Sequence, residues 1–142
     1  DFTSSDWTAN TWHFIEFGYN KTGNVQTFYI DESAQTPATP TGTWGSNSLG
    51  TSFWIGSRIT NVSGFDGEMC YVQTLNATQT RADVSQMRWL PGTVPSGLLL
   101  FLPLWGDSTE QDLSGNNRDG TVTGTTASSN GPPVMFGMGM SL

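Results

Sequence analysis

The chain has 142 residues, a formal net charge of −7 and only 12% charged residues. Thr, Ser, Gly and Asn supply 61 of the 142, which excludes a coiled coil or helical bundle, since long helices draw on Ala, Glu, Lys, Leu and Arg. Thr and aromatic residues suit pleated sheets, and Gly, Asn and Ser suit the turns between them, so the composition points to an all-β chain with a single core.

Its cations, Lys21, Arg58, Arg81, Arg88 and Arg118, are scattered along the chain. Phosphate neutralisation needs them clustered, so nucleic acid is not an expected partner. Cys70 is the only cysteine, which excludes an intrachain disulfide and a CxxC metal site. The longest apolar run, Leu98 to Leu102, is far short of the roughly 20 residues of a membrane-spanning helix, so no membrane insertion is expected.

In chain order, Thr11 to Tyr19 is an aromatic-rich run of strand length, closed by the turn-like Asn20-Lys-Thr-Gly-Asn24. Val25 to Asp31 follows at hairpin spacing. Residues 33 to 51 read as a long loop carrying Trp44, and Ser52 to Arg58 as a third strand. Gly64 to Leu75 suits a strand buried in part on both faces. One short helix is expected near 79–89, with Thr78 or Thr80 as its N-cap and Leu90-Pro91 as its stop. Leu98 to Trp105 gives a further strand whose Pro103 argues for an edge or a bulge, and Asp119 to Thr126 gives another. The tail lacks periodicity, and its Met and Phe residues are costly to leave in water.

The segments Trp12-His-Phe-Ile-Glu-Phe-Gly-Tyr-Asn20, Phe28-Tyr-Ile-Asp31, Phe53-Trp-Ile-Gly56 and Phe65-Asp-Gly67 with Tyr71-Val72, followed by the short helix, resemble the second half of a laminin G-like jelly roll of the concanavalin A-like lectin/glucanase superfamily. The resemblance covers about residues 11 to 90. Residues 98 to 124, with Asp112-Leu-Ser-Gly-Asn-Asn117, look like the opening strand and loop of such domains, displaced to the C-terminal side. The resemblance implies an antiparallel β-sandwich over residues 1–126, incomplete at its N-terminus. Residues 127–142 then form a Pro/Gly/Met tail, disordered or docked on a neighbour. The piece after residue 98 is expected beside the last strand of the same sheet. One departure is Asp31-Glu32 where the family usually has Asp-Gly, which leaves the type of that turn open.

Catalysis is not expected. Superfamily glucanases pair carboxylates along one strand, and here Asp66/Glu68 is the nearest approach to such a pair. His13, the only histidine, reads as a packed or edge residue, and Cys70 lies far from it in sequence. Asp107, Asp112, Ser114, Asn116, Asn117 and Asp119 form a dense set of hard oxygen donors around a Gly. Two readings stand for them: calcium ligands, with Asp107, Asp112, Asn116 and Asp119 as the core set, or Asx-turns that bond their own backbone. For glycan stacking the candidates are Trp44, Trp7 and Tyr19, whereas Trp12, Trp54, Trp89 and Trp105 lie in apolar contexts and are expected in the core.

Two functions follow. The first is a non-enzymatic β-sandwich module, extracellular, on a cell surface or on a virion, that binds a glycan or a surface receptor. The second is a structural subunit of a decoration, fibre or filament that self-assembles as a homo-oligomer or larger assembly through strand edges.

Overall fold

The computed structural model describes residues 8–20, 22–36, 53–56, 64–77, 79–93 and 96–132. Among these the regular structure is mostly β, in antiparallel pairs, with one short helix. The first sheet contains β1 (Ile15–Asn20), β2 (Val25–Ile30) and β3 (Ser33–Ala34) in that order. β1 and β2 pair in unbroken register from Ile15↔Ile30 to Asn20↔Val25. Asp31 and Glu32 link β2 to β3 as a two-residue turn with φ of 48° and 71°. Positive φ at both central positions is the type I′ signature, whose twist matches that of the flanking strands. Glycine is the usual residue here, so Glu32 is held against its own preference.

β4 (Val72–Leu75) leads to α1 (Arg81–Trp89), and β5 (Leu98–Leu102) returns to pair antiparallel with β4. The pairs run Val72↔Leu102, Gln73↔Phe101 and Thr74↔Leu100, and the register then shifts to Leu75↔Leu98. The C-terminal segment that begins at Leu98 therefore pairs with a strand begun earlier in the chain. A small ribbon of β6 (Thr109–Glu110) and β7 (Gly120–Thr121) completes the order.

The helix forms for local reasons. Thr80 Oγ1 accepts the Asp83 N–H at 3.3 Å and the Asp83 carboxylate accepts the Thr80 N–H at 2.8 Å, a reciprocal capping box. Its buried side chains, Val84 and Met87, are three apart and share one face. With Ile30, Leu100 and Leu102 they are the buried hydrophobic residues among those described.

Several strands are shorter than the sequence predicts. β1 starts at Ile15 rather than Thr11, β4 at Val72 rather than Gly64, and β5 stops at Leu102, before Pro103. Pro103 is fully buried and accepts the Tyr71 N–H at 3.2 Å. The expected last strand over 119–126 reduces to Gly120–Thr121. Phe53 to Gly56 are not in a strand, and 57–58 lie outside the described residues. Trp54 and Trp105, expected in the core, are 51% and 62% exposed. Adjacent apolar residues in sequence say nothing about what packs across from them.

The start of the tail lies against the body of the chain. Gly106 has a φ of 90°, and a Cβ there would come within 2.5 Å of the Ala127 Cβ, so glycine permits that approach. Ser128 Oγ and Asn130 Nδ2 donate to Glu68 Oε1. Residues 133–142 lie outside the described residues.

Candidate functional site

A cleft of about 1080 Å³ opens between two stretches of chain some fifty residues apart. One wall is the run into β1 from Asn10 to Ile15, and the other is Phe65 to Gln73. Trp12, Phe65 and Tyr71 supply rings to its lining, and Asn10, Gln73 and Asn130 supply amides. Gln73 Oε1 is buried and has no hydrogen-bond partner. Tyr71 sits at a φ of 54°, a left-handed conformation that costs a non-glycine residue about 1 kcal/mol. That bend falls where the chain enters β4, directly after Tyr71.

Two residues of the cleft lining belong to a polar cluster on the Asp31-Glu32 turn. His13 and Arg88 both line the cleft. His13 Nδ1 lies 2.6 Å from Asp31 Oδ2, and its Nε2 lies 3.0 Å from the Thr8 carbonyl. A protonated ring donates to both, and the Thr8 carbonyl and then the Asp31 carboxylate raise the His13 pKa above its ordinary value. Asp31 Oδ1 accepts the Phe14 N–H at 2.9 Å and stands 3.4 Å from Arg88 Nη2. Glu32 Oε1 accepts the Trp89 Nε1–H at 3.0 Å and lies 3.6 Å from Arg88 Nη1. The Arg88 guanidinium in turn lies 4.8 Å from the Trp89 ring centroid. The C-terminal end of α1 is thus clamped to the turn between β2 and β3.

Of the residues that the sequence singles out for glycan stacking, Trp7 and Trp44 lie outside the described residues. Tyr19 is on β1 and donates its hydroxyl to Asn24 Oδ1 at 2.6 Å, bridging the hairpin. Trp12, which does line the cleft, is a residue that the sequence places in the core. Its strand-like apolar context carries no signal to separate a core ring from a cleft wall.

The oxygen-rich loop is organised around Asp112, which is 6% exposed. Its Oδ1 accepts the Phe101 and Ser114 N–H groups at 3.0 and 2.9 Å, and its Oδ2 accepts the Arg118 N–H at 3.0 Å. Asp119 Oδ1 accepts the Asp112 N–H at 2.8 Å. Asn116 Nδ2 donates to the Leu98 and Leu99 carbonyls, and Ser114 Oγ also donates to Leu99. Arg118 adds a guanidinium N–H to the same carbonyl. Asp107 is exposed. Three of the four proposed calcium ligands, Asp112, Asn116 and Asp119, therefore already hold backbone groups, and the loop closes the edge of β5 that faces away from β4. Burial works against the Asp112 carboxylate, but the N–H groups of Phe101, Ser114 and Arg118 together outweigh it and hold its pKa down to about 2. No group of three or more His, Cys, Asp or Glu side chains able to hold a metal is present among the described residues.

The carboxylates of Asp66 and Glu68 reach the cleft rim, with Glu68 engaged by Ser128 and Asn130. Cys70 also lines it. Burial pushes its thiol up to about 11, so it is a poor nucleophile at neutral pH.

Comparison with family models, curated proteins and solved structures found no match to this chain.

Proposed function

We propose that the chain is a non-enzymatic β-module that binds a glycan in the cleft between residues 10–15 and 65–73, and that it is presented on an extracellular, cell or virion surface. In this reading its strands belong to a jelly-roll sandwich of the laminin G-like kind. The observation that supports glycan binding is the lining of the cleft. Rings of Trp12, Phe65 and Tyr71 stand beside amides of Asn10, Gln73 and Asn130. Sugars present both an apolar C–H face and a rim of hydroxyls, and this mixture offers a partner to each. The volume, about 1080 Å³, lies just above the roughly 300–1,000 Å³ of ligand pockets.

A glycan array probed with the full chain tests this, with Trp12→Ala as the cleft variant and Trp105→Ala as the exposed-ring control. The reading expects binding that Trp12→Ala abolishes and Trp105→Ala leaves alone, with both variants melting cooperatively. An array without signal, or signal that survives in a folded Trp12→Ala variant, would overturn it.

A further inference from the structure

A third stretch of chain lines the cleft. Ser129 to Pro132 face it beside the two walls at 10–15 and 65–73, so the start of the tail belongs to the same opening. Little holds that stretch in place. Residues 122 to 132 are in neither strand nor helix, and 123 to 131 are exposed, so neither a ladder nor burial repays the entropy of ordering them. Val122 donates its N–H to the Ser108 carbonyl at 3.1 Å. Beyond it, among the described residues, the hydrogen bonds that tie the tail to the rest of the chain both end on Glu68. Ser128 Oγ donates to Glu68 Oε1 and accepts the Asn130 N–H at 3.1 Å, while Asn130 Nδ2 donates to the same Oε1 at 3.3 Å. One carboxylate thus gathers residues 128 to 130 into a small turn, and the residues after it line the cleft.

We propose that Glu68 is a positioning residue of the cleft, whose carboxylate seats residues 128–132 as a third wall of the binding site. What the wall serves rests on the glycan reading above, and its existence does not. Glu68 is itself one of the residues of the 65–73 wall, so the tie joins one wall of the cleft to another. A carboxylate suits the task, since it is an acceptor only and its charge strengthens each hydrogen bond it receives. The approach of Ala127 to Gly106 fixes where the segment leaves the body of the chain, and Glu68 fixes where it goes next.

Cys70, the only cysteine, lines the cleft and reports on the wall. The test is the rate at which iodoacetamide alkylates Cys70 in the full, folded chain, compared among wild type, Glu68→Ala, Glu68→Gln and Ser128→Ala. Thr125→Ala, exposed and outside the lining, is the control. Glu68→Ala and Ser128→Ala should each raise the rate about fivefold, because the open form of the segment becomes more populated. Ser128→Ala keeps the Glu68 charge, so its effect is not a change in the thiol's electrostatic surroundings. Glu68→Gln, whose amide oxygen still accepts from Ser128 and Asn130, should stay near wild type with Thr125→Ala, and the Glu68→Ala/Ser128→Ala double variant should be no faster than Glu68→Ala alone. A Ser128→Ala rate equal to wild type, a Glu68→Gln rate equal to that of Glu68→Ala, or a rise matched by an equal loss of global stability in urea melts would each overturn the inference. Ser128 is outside the lining, so Ser128→Ala should also weaken the most tightly bound glycan of the array, and unchanged binding would overturn the wall's part in the site. An array without signal overturns the glycan reading, and the Cys70 rates still decide whether Glu68 seats the wall.

Discussion

His13 Nδ1 stands 2.6 Å from Asp31 Oδ2, and this contact joins the chain entering β1 to a turn whose two central residues both have positive φ. The backbone conformation of Asp31 and Glu32 is unfavourable for non-glycine residues, and their side chains supply the compensation. Asp31 holds Phe14 N and His13, and Glu32 holds Trp89 and Arg88.

Stability should therefore depend on pH through His13. Its folded pKa is raised, first by the Thr8 carbonyl and then by Asp31. The contribution is complete below the unfolded value near 6.5 and is lost as pH rises through the folded value. Asp31, Arg88 and Glu32 are the charged groups gathered at this turn. Urea melts from pH 5 to pH 9 should show a decline in the wild type that His13→Asn flattens.

Asp31→Ala removes the acceptor of a backbone N–H and of two cationic partners at once. Hydrogen bonds to charged groups are worth about 1.5–3 kcal/mol, so the expected loss is about 2–3 kcal/mol in a urea melt at pH 6. A loss below half of the lower figure would mean that the turn is held by something else.

Asp112→Ala strips three backbone N–H groups of their acceptor and should cost about 3 kcal/mol. With its folded pKa held near 2, the Asp112 contribution is present above the unfolded carboxylate value and fades as pH falls toward 2. Because the loop already satisfies its oxygens from within, calcium should leave the melting temperature unchanged. A clear rise with calcium, reversed by chelator, would show that the same oxygens also serve a cation.

Thr80→Ala should destabilise by about 1 kcal/mol through loss of the N-cap, and more of the helix signal should be lost than for an exposed Thr outside α1. Far-ultraviolet circular dichroism during thermal melting measures both.

Cys70, with its pKa pushed up to about 11 by burial, should react with a thiol reagent at pH 8 about a hundredfold slower than free cysteine. Labelling of native protein at the rate of the urea-unfolded chain would contradict this.

Sequence by itself determined what depends on neighbours along the chain. An N-cap residue acts on the turn that follows it, so the helix start was legible to within Thr78 or Thr80, and the Asn20–Asn24 turn marked the β1–β2 hairpin because its two strands are contiguous; the Thr80–Asp83 capping box that decides the start is seen in the structure. The density of Asp, Ser and Asn in 107–119 was equally legible, with two readings open, because a carboxylate oxygen accepts from a backbone N–H as readily as it ligates an ion. Only the tertiary structure, by laying that loop along β5, turned Asp112 toward Phe101. The same holds for the cleft, whose walls come from residues 10–15 and 65–73, and for Trp54 and Trp105, left exposed where an apolar context predicted burial. What faces a side chain across space is set by non-local packing, and local pattern carries no record of it.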